Sequence, residues 1–277
     1  GAVMNRKNFR WDAYMNFTHY TNKIIMLPDT HKNREIDGYQ GYASGNKFVA
    51  EGLPLNTFLM PKYAGVDKSN GLPMWYKEIT DANGQVIGTT MTSEYSEATE
   101  YLCDDPTPKL YGGFGTSLSF HGFDLSMSFT YQIGGVAYDS GYATYMSSPI
   151  ATNLGVNYHK DVLKAWSKEN PSSDIPRLDA DTSVGQSAVD RFLITSDYLS
   201  INNVTVGYTF PDKLIQKVKI AGLRVYFTAD NLAVASARKG LDPRFSLGLG
   251  SFVSGSGLNS GSYSAMRTIA GGITLTF

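Results

Sequence analysis

The sequence predicts an all-β chain, an antiparallel transmembrane β-barrel segment of about eight strands with long extracellular loops. Three observations point there. The stretch GGFGTSLSFHGFDLSMSFTYQIGG, residues 112–135, alternates apolar and small polar residues through two strand lengths. Long connections alternate with short ones, so every long one falls on the same rim. The closing stretch RTIAGGITLTF alternates Ile269, Gly271, Ile273 and Leu275 and ends on Phe277.

In the first stretch Phe114, Leu118 and Phe120 share a face, as do Phe123, Leu125, Met127, Phe129, Tyr131 and Ile133. Gly115, Ser117, Ser119, Asp124, Ser126, Ser128, Thr130 and Gln132 take the opposite face, because side chains alternate with a period of two along a strand. A soluble sandwich would bury the bulky face in a core. A membrane barrel turns it to hydrocarbon and the small polar face to a lumen. Each bulky residue leaving water gains roughly 1.5–3 kcal/mol. A charge at the hydrocarbon midplane costs about 2–4 kcal/mol. Asp124 and Asp230 accordingly lie on the polar phase, and Arg267 lies on the apolar phase near a strand end, where it can snorkel.

Period-two segments predict strands over residues 7–20, 54–64, 71–80, 111–120, 122–133, 196–210, 222–232 and 266–277. The short connections are GVDKSN, His121-Gly122 and the stretch beginning at Pro211; the others are long. In YLSINNVTVGYTF the apolar phase runs Leu199, Ile201, then jumps to Val204, Val206, Tyr208 and Phe210, the mark of a β-bulge at Asn202-Asn203. YHKDVLKAWSKENP sets Val162, Leu163, Ala165 and Trp166 at helical spacing and predicts a short amphipathic helix ending at Pro171, packed on its own loop. The N-terminus enters alternation at once. Phe9, Trp11, Ala13, Met15 and Phe17 oppose Arg10, Asp12, Tyr14, Asn16 and Thr18, with no secretion signal before them, which reads as a fragment begun mid-pattern.

Composition agrees. With 18 Tyr, 14 Phe and 28 Gly but only 18% charged residues, the chain suits strands that approach closely. A net charge of -1 gives no reason to expect nucleic acid. No apolar run is long enough for a membrane helix, which leaves a barrel open. The one cysteine, Cys103, excludes an internal disulfide and reads as an incidental loop thiol.

No catalytic residue, metal site or cofactor is expected. His19, His31, His121 and His159 show no metal-ligand spacing, and no nucleophile elbow, P-loop or dinucleotide fingerprint occurs. Asp104-Asp105, Asp179 and Asp181 sit in loop context, and Asp81-Ala82-Asn83-Gly84 reads as a turn without the later ligands of a calcium loop. The chain is therefore not expected to be an enzyme. The candidate substrate-binding residues are loop aromatics able to stack on sugars or apolar ligands: Trp75, Tyr76, Tyr142, Tyr145 and Trp166, with Tyr39 and Tyr42 beside them. The alternative role for such rings is an interfacial girdle or loop packing. Ile273, Leu275 and Phe277 form the candidate membrane-assembly signal.

The run PTPKLYGGFGTSLSFHGFDLSMSFTYQIGG resembles the C-terminal barrel region of SusC/RagA-type TonB-dependent transporters of the Bacteroidetes outer membrane. So do YAGVDKSNGLPMWY, AWSKENPSSDIPRL, RFLITSDYLSINNVTVGYTFP, LRVYFTADNL with KGLDPRF, and GITLTF; residues 1–50 match loosely. The resemblance implies that residues 1–277 are the C-terminal part of a barrel of about 22 strands. The plug and N-terminal strands would lie outside the chain. It further implies import of glycan oligomers or peptides across the outer membrane, a SusD-like surface lipoprotein as lid, and the TonB complex acting through the N-terminal region. Small inward residues such as Ser117, Ser119, Ser126 and Ser128 suit a wall that holds plug, solute or water. Two other classes stay open on the residues alone: a complete small barrel of structural or adhesive role, and a soluble carbohydrate-binding sandwich.

Overall fold

The computed structural model describes residues 1–146, 155, 157–179, 188–215, 220–237, 242–246 and 265–277. Its main feature is one seven-stranded antiparallel sheet that follows chain order. The strands are β1 (Ala2–Arg6), β2 (Phe9–Thr18), β3 (Leu110–Phe120), β4 (Phe123–Ile133), β5 (Tyr198–Thr209), β6 (Gly222–Ser236) and β7 (Thr268–Thr276). At one rim the connections are short: Lys7-Asn8, His121-Gly122 and the stretch 210–221. The connections over 19–109, 134–197 and 237–267 all leave from the other rim. His121 and Gly122 both have positive φ, +48° and +89°, the conformation of a tight type I′ hairpin whose twist matches the strands.

Cross-strand register aligns the bulky residues into continuous rows. One row is Trp11, Leu118, Leu125, Val206 and Phe227; another is Met15, Phe114, Phe129 and Ile201. Phe114 and Phe129 stack with ring centroids 4.6 Å apart. The other face carries Asp12, Ser117, Ser126, Thr205 and Thr228 in one row. Among the described residues nothing packs over the bulky rows. Met15 is 68% exposed, Phe123 59% and Phe227 64%, and among the described residues no apolar side chain of this sheet is buried. The buried apolar side chains all belong to the connections. The sheet is a one-layer wall.

Polar groups on the bulky face satisfy each other, as a hydrocarbon environment demands. The Trp11 indole donates to Thr116 Oγ1 at 2.7 Å, and that hydroxyl donates to the Asp12 carbonyl at 3.1 Å. On the polar face, glycine makes room for rings of the neighbouring strand. A Cβ on Gly115 would come within 2.5 Å of the Tyr14 ring, and one on Gly272 within 2.4 Å of the Tyr226 ring. The expected bulge is present. Register passes from Ser128↔Asn203 to Phe129↔Ile201, so Asn202 is the extra residue and the apolar phase stays on one face.

The strand tally is corrected in one respect. Segments 54–64 and 71–80 do form strands, Thr57–Pro61, Tyr63–Val66 and Pro73–Thr80, but these pair outside the wall. Thr57–Pro61 is buried at every position, so both its faces meet protein. Alternation reports a half-buried strand and carries no information about which sheet receives it. The wall gains β1 instead. The described residues of segments 19–109 and 134–197 form a cap on the long-loop rim. It contains a five-stranded, a three-stranded and a two-stranded sheet. Two apolar clusters hold it: Phe48, Ala50, Leu53 and Leu59 in one, and Trp75, Ala143, Met146, Val162, Val189 and Phe192 in the other.

The expected helix over 158–171 is a single 3₁₀ turn, Lys160–Lys164. Val162 is buried and Leu163 is exposed, and the Lys164 carbonyl takes side-chain donors from Asn170 and Ser173 instead of a helical amide. Those local side-chain bonds outcompete a second turn.

Met127→Arg places a charge in the middle of the bulky face and is expected to destabilise the lipid-embedded wall by about 2–4 kcal/mol. Ser126→Arg, one residue away on the polar face, is expected to be tolerated. Urea unfolding of the complete protein in lipid vesicles distinguishes the two.

Candidate functional site

The polar face of the wall and the cap above it form the candidate site. The two arginines of this face, Arg10 and Arg224, are each paired with an aspartate, and Asp230 is held by an amide. Arg224 makes a bidentate contact with Asp124, 2.6 Å and 3.2 Å, over Gly207, whose missing side chain leaves the space. Arg10 pairs with Asp12 at 2.7 Å. Asn203 Nδ2 donates to Asp230 at 2.7 Å and to Thr228 at 3.0 Å, and the hydroxyls of Thr205 and Thr228 lie 2.9 Å apart. The face is hydrophilic with little uncompensated charge, suited to water or a neutral solute.

At the bulge this face receives a guanidinium from the connection after β6. Arg244 Nη1 donates to Ser200 Oγ at 2.7 Å, Asn202 Oδ1 at 3.1 Å and Asn231 Oδ1 at 3.3 Å. Its other nitrogens grip Asp242 at 2.7 Å and 2.8 Å. Asn231 itself sits at φ +50°, a conformation asparagine tolerates better than most residues. The bulge thus turns two amide oxygens toward one cation, and Asp242-Pro243-Arg244 becomes a strap fastened to the wall. Burial would raise the Asp242 carboxyl, but the Arg244 guanidinium beside it holds it below the ordinary carboxylate value.

The two longest connections are locked to each other. The Tyr63 amide donates to Asp190, Lys68 Nζ reaches the Ser172 and Ser173 carbonyls, and Arg177 donates to the Asn70 carbonyl. At the rim Gln132 Nε2 donates to Ser196 Oγ at 2.8 Å, and the Gly134 amide donates to Asp197 at 2.6 Å. The cap therefore stands on the wall through several hydrogen bonds.

The candidate aromatics divide by what they touch. Trp75 is 2% exposed and packs edge-on against Tyr95 in the larger cluster. Tyr142 joins the same cluster and donates its hydroxyl to Asp161 at 3.0 Å. Trp166 covers Gly71 and donates to the Lys68 carbonyl. These three rings are occupied by packing. Tyr76 and Tyr145 keep exposed rings, because the buried positions of their elements are taken by neighbours: Trp75 on the strand, and Ala143 and Met146 on the helix Ser140–Met146. Tyr39 lies over Gly52, and Tyr42 meets His31 edge-on at 5.1 Å.

The loop carboxylates and histidines are separately employed. Asp105 accepts from the Thr107 amide, Asp81 from the Asn83 and Gln85 amides, and Asp179 pairs with Arg177; Asp181 lies outside the described residues. His19 meets the Lys109 carbonyl and His159 caps the 3₁₀ turn. Burial pushes the Cys103 thiol up to about 11, which leaves little thiolate at neutral pH. At the end of the wall Ile273, Leu275 and Phe277 are exposed on or beside the bulky face of β7. The strap is the feature that reading residues one at a time missed. The phase jump at Asn202 marked its socket, but nothing local named Arg244 as the occupant.

No family model matches the chain. It is 25% identical to a TonB-dependent receptor of Formosa agariphila over 99% of this chain and 27% of that protein. It is 26% identical to the TonB-dependent receptor SusC of Bacteroides thetaiotaomicron over 98% of this chain and 25% of that protein. Its fold matches a solved structure of the RagAB peptide transporter with a TM-score of 0.75 and 26% identity, all of this chain lying on 28% of that one. The chain thus spans little more than a quarter of the length of the relatives it matches.

Arg244→Met removes the guanidinium that grips the buried Asp242 carboxylate and is expected to cost about 3–5 kcal/mol locally. Hydrogen exchange should quicken around Ser200 and Asn231 while the middle of β3 stays protected. A second expectation concerns Lys47, which is 6% exposed over the Phe58 ring and whose burial lowers its pKa from 10.5 to about 7. The unfolded chain then holds the extra proton between those two values, so cap stability rises as pH rises from about 7 to 10.5 and the penalty is complete below. Lys47→Met should stabilise the cap at neutral pH and flatten that slope, read from denaturation midpoints across the range.

Proposed function

This chain being a relative of the SusC/RagA-type TonB-dependent receptors, we propose that it forms the C-terminal wall of an outer-membrane importer for glycan oligomers or peptides. The bulky face meets outer-membrane lipid, and the polar face lines the lumen. The cap forms part of the extracellular mouth, where a SusD-like surface lipoprotein closes over the solute. Energy arrives from the TonB complex through a plug and N-terminal region outside residues 1–277. The chain supplies a conduit and a binding surface, and no catalytic group.

One observation carries this reading. A single sheet leaves Phe123, Met127 and Phe129 without a protein layer over them, while serine, threonine and paired charges occupy its reverse. Among the described residues no second sheet covers the bulky rows, which counts against a soluble sandwich. The wall ends at β1 and β7, which do not pair with each other, and this counts against a small barrel closed within these strands.

Two measurements test the proposal. The complete receptor should fractionate with outer membranes, show heat-modifiable mobility in detergent, and be required for growth on an oligomeric nutrient. Tyr76→Ala and Tyr145→Ala should each weaken solute binding by about threefold to tenfold if the exposed rings stack on cargo. A receptor recovered as a soluble monomer in plain buffer would sink the wall reading. Unchanged binding in the doubly substituted receptor would remove the two tyrosines from the site and leave the wall in place.

A further inference from the structure

The short-turn rim of the wall carries a feature that neither transport nor the cap uses. Register places Arg6, Phe9, Phe120, Phe123 and Tyr208 in one row on the bulky face, the row nearest the turns. Phe9 and Phe120 meet edge-on at 6.3 Å, Phe120 and His121 at 4.4 Å, and Phe123 lies 4.4 Å from Tyr208. The row is an aromatic girdle with a guanidinium at one end. Beside it, the turns of the β1–β2 and β3–β4 hairpins leave a notch of about 450 Å³ between Arg6, Lys7, Asn8, Phe120, His121 and Phe123.

The charge in this notch is one-sided. Arg10 and Asp124 also line it, but Arg10 is paired with Asp12 and Asp124 with Arg224. Among the described residues neither Arg6 nor Lys7 has a carboxylate at ion-pair distance, and both are exposed. Two unpaired cations therefore stand at the level where the ring row ends.

We propose that this notch binds the phosphate of an anionic glycerophospholipid in the leaflet at the short-turn rim. Arg6 presents donors in a fork that matches phosphate oxygens, Lys7 adds a second positive charge, and the acyl chains lie along Phe120 and Phe123. The rings select a lipid over a free anion: they bury hydrocarbon directly below the charge, and an inorganic ion has none to offer. Arg6 also escapes the cost of facing hydrocarbon, since its row lies at the interface and its head group reaches the phosphate layer.

The inference rests on the membrane-wall reading of the preceding subsection, and the test separates the two. The complete receptor, purified in mild detergent, is titrated with phosphatidylglycerol and followed by native mass spectrometry. An Arg6→Gln/Lys7→Gln double variant should bind the lipid about thirtyfold more weakly, in line with the loss of two interfacial cations. A Lys160→Gln/Lys168→Gln variant in the cap should bind as the parent does. Heat-modifiable mobility checks that both variants fold. Equal lipid affinity in the Arg6/Lys7 variant and the parent, with the receptor still requiring detergent, would overturn the notch alone. Displacement of the lipid by an equal concentration of inorganic phosphate would overturn the lipid assignment. Release of the receptor from membranes by alkaline carbonate would overturn the wall and the notch together.

Discussion

The structure depends on one arrangement: backbone hydrogen bonds closed strand to strand in a single layer that has no core of its own. A globular protein stabilises a sheet by packing another layer against its apolar face. Among the described residues no such layer covers β1 to β7, and the bulky rows from Trp11 across to Phe227 stand open. Hydrocarbon supplies what a second layer would. The same solvent forbids an unsatisfied donor, which is why the Trp11 indole and the Thr116 hydroxyl serve each other on that face.

The reverse face obeys a different rule. Water reaches it, so polar groups are cheap there, but strands must still curve and fit side by side. Glycine answers the second need. Gly115 and Gly272 are overlaid by Tyr14 and Tyr226, and Gly207 by the Arg224–Asp124 pair, so large inward groups lie flat along the wall and leave the interior clear. The bulge at Asn202 answers the first, adding local twist to a long strand. Its second consequence is chemical, because the displaced amide helps to make the socket into which Arg244 fits.

The cap belongs to ordinary globular protein chemistry. It has two apolar clusters and one strand, Thr57–Pro61, buried at every position. Its ion pairs sit at the surface. Wall and cap are thus stabilised by different solvents within one chain. Hydrogen bonds from Gln132 to Ser196 join them at the rim, and the strap is fastened to wall residues on the inner face. The cap leaves the rings of Tyr76 and Tyr145 exposed, while the polar face of the wall carries small hydroxyls and the Arg224–Asp124 pair.

What the sequence determined by itself was the local geometry. Period-two alternation in residues 112–135, the phase jump at Asn202 and the His121-Gly122 turn each act within a few residues, so each was legible without a fold. The one-sided distribution of long connections was legible for the same reason, since strand direction reverses at every turn. Only the tertiary structure decided which strands share a sheet. Segments 54–64 and 71–80 alternate as the wall strands do, yet they pair within the cap, because partner choice depends on burial summed over distant residues. It also decided that Trp75 and Tyr142 are packing rings while Tyr76 and Tyr145 stay open, and that Arg244 crosses to a socket 42 to 44 residues away in the chain. Contacts of that kind arise from closure of long loops, and no period in the sequence records which side chains a closed loop brings together.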